Sequence, residues 1–132
     1  MTSAKTKVFL NISNHAVAAW TEKQKNAALE LGESIGEIPF PNISPSATSK
    51  EVQKLAIGLM LRIVNEYGND VCCMVGGEFT FTHSFVEACY TRNIECYAAT
   101  TERNTVENPD GTKTVKFEFE QFRKYLSRDF QN

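Results

Sequence analysis

The sequence predicts an α/β fold: a three-layer, Rossmann-like parallel sheet of strand order 2-1-3-4 with a C-terminal β-hairpin. Three observations carry this. Short apolar runs alternate with longer stretches of helical spacing, the pattern of parallel strands joined by right-handed helical crossovers. The run Val71-Cys72-Cys73-Met74-Val75 is apolar throughout, as a central strand buried on both faces would be. Late in the chain the pattern changes to alternation on either side of Asn108-Pro109-Asp110-Gly111, a hairpin turn signal. With no repeat and no linker, residues 1–132 read as a single domain.

Residues 7–12, KVFLNI, read as the first strand, ending in polar Ser13, Asn14 and His15. Thr21 with Gln24 three residues on gives a capping-box pattern that opens a helix, and Gly32 stands as its C′ residue. A second short strand at 34–40 is cut off by Pro39 and Pro41, and 42–49 has the composition of a loop. Thr48 with Glu51 repeats the cap. Val52, Leu55, Ala56, Leu59, Ile63 and Tyr67 form the core stripe of a long helix ending near Gly68. After the central strand and Gly76-Gly77, residues 78–93 predict a third helix with Phe81, Phe85, Val86 and Cys89 in the core. A fourth strand at 94–101 precedes a separate hairpin at 103–119, and 122–126 reads as a short helix or irregular tail.

Composition narrows the function classes. A chain 42% hydrophobic and 11% aromatic can build a core, which argues against disorder. The formal charge of -2 provides no extended basic surface for a nucleic-acid duplex. The longest apolar run is too short to span a bilayer, and residues 1–13 show no leader pattern, so the expectation is a cytoplasmic protein. Cys72, Cys73, Cys89 and Cys96 form no C-x-x-C pair and have no histidine at finger spacing. They are expected as free, buried thiols, with no metal and no cofactor.

In open sheets of this order ligands bind beyond the carboxyl ends of the strands where the order reverses, here between strands 1 and 3. The loops meeting there are 11–15 and 76–80, with Thr100, Thr101 and Arg103 beside them. Gly76-Gly77 either makes a tight turn or lets an anion approach the backbone. Thr80 and Thr82 are phosphate ligands or helix caps. Glu78 complements the helix dipole, binds a metal or acts as an acid or base. Phe79 reads as core rather than as a platform for a base, and His83 as structural or exposed. His15 is the histidine at the switch point, of the residue type that exchanges a proton near neutrality. Arg103 offers a donor fork suited to phosphate or a surface ion pair. The P-loop, G-x-G-x-x-G and G-x-S-x-G patterns are absent.

Asn14-His15, Gly77-Glu78-Phe79, Tyr97-Ala98-Ala99-Thr100-Thr101-Glu102-Arg103, Asp110-Gly111 and Phe122-Arg123-Lys124-Tyr125 together resemble the small CRISPR-associated ring nucleases of type III systems. The likeness covers the C-terminal half and the first strand and loop; residues 33–68 match only in layout. The resemblance implies a CARF-like Rossmann domain that binds cyclic oligoadenylate, foremost the four-membered ring, and destroys this antiviral second messenger. Its chemistry would be metal-independent attack of a ribose 2′-OH on the neighbouring phosphate. In that scheme His15 organises the attack, Asn14 and Ser13 fix ribose or phosphate, and Arg103 adds charge. Gly76, Gly77, Glu78, Phe79, Thr80, Thr82, Thr100 and Thr101 complete the expected ligand site. A ring with its own symmetry suggests a two-fold homodimer, with the hairpin at 103–119 either its pairing element or only a sheet edge. Two other readings stand beside it: a non-catalytic sensor or sponge for the same ligand, and a small enzyme acting on a phosphorylated metabolite.

Overall fold

The computed structural model describes residues 7–127; residues 1–6, half of the stretch read for a leader, lie outside it. Val8–Ser13 forms β1, whose Phe9, Leu10, Asn11 and Ile12 are all fully buried, so neither face of the strand meets water. A single short 3-10 turn at Val17–Ala19 leads to helix α1, Glu22–Leu31. Strand β2 is Ser34–Glu37, helix α2 is Ser49–Tyr67, strand β3 is Val71–Gly76 and helix α3 is Phe79–Tyr90. Strands β4, Cys96–Glu107, and β5, Lys113–Lys124, are the last elements among the described residues. The five strands form one mixed sheet of order β2-β1-β3-β4-β5, parallel except for the antiparallel β4-β5 pair, consistent with a Rossmann-like layout.

The helix boundaries follow the caps. Thr48 accepts from the Glu51 N–H at 3.1 Å while the Glu51 carboxylate accepts from the Thr48 N–H at 2.7 Å, a complete capping box for α2. At α1 only the forward half forms, Thr21 Oγ1 accepting from the Gln24 N–H. Gly32 ends α1 in extended backbone, φ -145°, not in the left-handed conformation of a C′ glycine. Its glycine identity answers a close approach instead: an added Cβ would lie 2.8 Å from the Phe9 nitrogen and 3.0 Å from the Lys7 carbonyl oxygen. Both obstacles are backbone, of β1 and of the residue just before it, and cannot swing aside. Gly32→Ala is therefore expected to destabilise the fold by about 1–3 kcal/mol, as overpacking does. Urea unfolding checks this, and an unchanged midpoint contradicts it.

Two cores flank the sheet. Leu10, Ile12, Cys73 and Val75 project into one with Val52, Ala56, Met60 and Ile63 of α2 and Phe81, Phe85 and Cys89 of α3. Phe9, Cys72, Met74 and Tyr97 project into the other with Trp20 and Ala28. Phe122 lies against this second core, 4.7 Å from Phe9 and 5.9 Å from Trp20 between ring centroids. The four cysteines are free and buried, and burial pushes the Cys72 thiol up to about 11. Among the described residues no helix is long and apolar enough to cross a membrane.

Four expectations are corrected. The fourth strand and the first hairpin strand are one element: β4 touches β3 only at Cys73↔Cys96 and Met74↔Tyr97, then leaves the sheet paired with β5. No glycine or proline interrupts residues 94–107, so nothing stops the strand where the parallel pairing ends. The 122–126 segment is likewise strand up to Lys124, and the Tyr125 N–H donates to the Cys96 carbonyl at 2.9 Å. Phe79 lies outside the core, 88% exposed, and Leu55 is half exposed at the margin of the α2 stripe. Phe79 is the first residue of α3, a turn ahead of the buried Thr82 and Val86 on its own side of the helix, so its position at the helix start leaves it in water.

Candidate functional site

An open cleft of about 890 Å³ lies at the carboxyl ends of β1 and β3, floored by Met74 and Val75. Ser13, Asn14 and His15 form one wall and Gly76 with Gly77 the adjoining one. Thr21, Lys23 and Gln24 reach it from the first turn of α1. Thr101 of β4 and Phe117 and Phe119 of β5 close the far side, so the hairpin arm that leaves the sheet becomes a wall.

A buried amide shapes the Ser13–His15 loop. Asn11 is fully buried on a β1 otherwise lined by apolar residues, and such a group must find partners. Its Nδ2 donates to the His15 carbonyl and to Glu37 Oε2, both at 2.9 Å, and its Oδ1 accepts from Ser13 Oγ at 2.7 Å. Glu37 Oε2 also accepts from the Val17 N–H at 2.7 Å, and the indole N–H of Trp20 donates to the His15 carbonyl at 3.3 Å. The His15 backbone is thus anchored by Asn11 and Ser13 of β1 and by Trp20, with Glu37 bracing Asn11 and Val17, while its imidazole stays exposed at the cleft. Glu37→Ala leaves the Asn11 amide short of a partner and frees the Val17 N–H. The expected cost is about 1–3 kcal/mol. Faster amide exchange at residues 13–17 is the accompanying sign, and unaltered exchange contradicts the anchoring role.

The glycine pair divides its work. A Cβ on Gly77 would lie 2.5 Å from the Phe40 ring, so Gly77 makes room for Phe40, which packs edge-on against Phe81 at 5.2 Å. A Cβ on Gly76 would meet nothing within 4 Å, and Gly76 is the member open to a ligand. The N-terminus of α3 is already occupied by an anion of the chain itself. Glu78 Oε1 accepts from the Thr80 hydroxyl at 2.6 Å and the Phe81 N–H at 2.8 Å, and these bonds hold its carboxyl below the usual carboxylate range. Glu78 faces a smaller depression of about 290 Å³ shared with Asn14, Phe40 and Asn42.

Of the residues expected at the site, the structure gathers Ser13, Asn14, His15, Gly76, Gly77 and Thr101 on the cleft. It does not bring the others there. Thr80 is spent on Glu78, and Thr82 is buried with its hydroxyl unpartnered among the described residues. The Thr100 hydroxyl donates to the Gln121 carbonyl and accepts from the Gln121 N–H. Arg103 stands exposed on the arm directly opposite Phe117, and Phe79 is exposed at the start of α3. His83 lies 4.0 Å from Glu87, both exposed.

Sequence reasoning placed Asn11 in the switch-point loop but missed its bond to Glu37, and it missed Trp20, Lys23, Gln24 and Phe117 as parts of the site. The first pair is 26 residues apart and met only through sheet register. Lys23 and Gln24 did carry a signal, since the Thr21 cap fixes their place in the first turn of α1. Lys23 is the only lysine or arginine among the described residues lining the cleft, and it lies 3.3 Å from Glu120 on an exposed surface where such a pair is weak. The described residues contain no cluster of three or more His, Cys, Asp or Glu arranged to hold a metal ion.

Residues 7–123 match the model of a family described as the uncharacterized protein MJ1673 family. No curated protein and no solved structure matches the chain significantly.

Proposed function

Since the chain belongs to the uncharacterized protein MJ1673 family, we propose its function from the cleft itself: a ring nuclease that binds cyclic oligoadenylate and opens the ring without a metal. The observation that carries this reading is the anchored Ser13-Asn14-His15 loop facing the open Gly76 at the switch point of the sheet. A wall of hydroxyl, amide and imidazole groups meets bare backbone there, and apolar and aromatic side chains line the opposite side, as a nucleotide requires. The sequence resemblance to type III ring nucleases supplies the ligand.

In the proposed reaction the 2′-OH of one ribose gives its proton to His15, and its oxygen attacks the adjacent phosphorus. The P–O5′ bond breaks, and the departing O5′ takes up a proton. The products are a 2′,3′-cyclic phosphate and a 5′-hydroxyl on a linear chain. Asn14 and Ser13 align ribose and phosphate, and Lys23, released from Glu120, supplies the positive charge that the phosphorane needs. A ring of four nucleotides exceeds the ligands that pockets of this size enclose, so a second copy faces the first across the ring. The exposed Phe79, at the same edge of the sheet, becomes covered in that dimer.

A specific observation favours a second reading, binding without cleavage. Arg103 is off the cleft wall, which leaves Lys23 as the one lysine or arginine on the cleft, among the described residues, to stabilise a transition state. Incubation with cyclic tetra-adenylate in EDTA, followed by chromatography, separates the two. Linear products support the ring nuclease, bound but intact ring supports the sponge, and absence of binding overturns both.

A further inference from the structure

Strand β5 carries Phe117, Phe119 and Phe122, and the core uses only two of them. Phe119 is 7% exposed with its ring 4.7 Å from that of Phe122, which in turn packs on Phe9 and Trp20. Phe117 takes no part in this cluster. It is 67% exposed, has no ring contact among the described residues, and yet lines the cleft. An aromatic side chain left in water on a concave wall has a large flat surface to offer.

The register shows what stands beside it. Residues directly opposed in an antiparallel pair share a face, as do residues two apart on one strand. Thr101 opposes Phe119 and Arg103 opposes Phe117, so these four side chains occupy one face of the arm, whose inner end is the cleft wall. Moving outward, that face offers a hydroxyl, then a phenyl ring with a guanidinium next to it.

We propose that Phe117 is a stacking platform for a purine base of the ligand, with Arg103 as the planar cation at its side. The proposal rests on reading the cleft as a nucleotide site and adds a residue that selects the base. Aromatic stacking serves any nucleobase, but a purine covers the most ring area, and an adjacent guanidinium favours the electron-rich face. A purely structural role for Phe117, as cross-strand support of the hairpin, predicts a change in stability and none in base-dependent affinity.

Calorimetric titration of the parent, Phe117→Ala and Phe117→Leu with cyclic tetra-adenylate, 5′-AMP and ribose 5-phosphate tests this. The leucine variant keeps apolar surface on the arm without the ring, which guards against misfolding. Both variants should bind the ring about 5- to 150-fold more weakly for each base stacked, with ribose 5-phosphate binding unaffected. Ring affinity equal to the parent's overturns the platform and leaves the cleft reading standing. A parent that binds 5′-AMP through Phe117 but not the ring keeps the platform and overturns the cyclic ligand. A parent that binds neither overturns both.

Discussion

Replacing His15 by alanine is expected to slow ring opening by about a hundred- to ten-thousandfold, the usual contribution of a general base. Binding should survive largely intact. The side chain is exposed and makes no hydrogen bond among the described residues, so its removal leaves the loop unaltered; the anchors of that loop are the His15 carbonyl, Asn11 and Glu37. Single-turnover cleavage with the protein in excess of the ligand and well above the dissociation constant separates the two effects. A variant that cleaves at the parental rate removes His15 from the chemistry and leaves positioning as the only source of catalysis. A variant that binds poorly assigns His15 to ligand contact instead.

Phe9→Ala should have the largest effect on stability, about 3–5 kcal/mol. Phe9 is fully buried, and its ring contacts Trp20 and Tyr97 at 6.3 Å and Phe122 at 4.7 Å. Those contacts join β1 to the base of β5. Beyond Tyr97, β4 has lost its β3 partner, and a lone two-stranded ribbon is marginal in water. The cavity left by Phe9 therefore loosens the arm that forms the far wall of the cleft, and affinity should fall together with stability. Urea unfolding and ligand titration of the same preparation check both halves. A loss under 1 kcal/mol contradicts the account of how the arm is held.

The parts of the fold legible in the sequence are those governed by local chemistry. Thr48 and Glu51 place the start of α2 through bonds spanning three residues, and the unbroken apolar run at 71–75 fits the strand buried on both faces that β3 is. The strand order followed from the alternation of elements, and the position of the cleft followed from the order. What escaped is set by tertiary contact. Where β4 parts from β3 depends on partners, so one continuous strand was read as a strand and a separate hairpin. Gly76-Gly77 looked like a single device, but Phe40, far away in sequence, fills the space at one of the two. Glu78 had three readings in the sequence, and the structure shows it capping α3 through the Phe81 N–H. The polar residues of 13–15 were legible as site candidates; the Asn11–Glu37 bond that fixes them was not.

The most direct test of the central claim is the identity of the ends made from cyclic tetra-adenylate by the parent protein in EDTA, read by mass spectrometry. Attack by the ribose 2′-OH predicts a linear product with a 2′,3′-cyclic phosphate at one end and a 5′-hydroxyl at the other. A product bearing a 5′-phosphate, or a ring recovered intact, contradicts it.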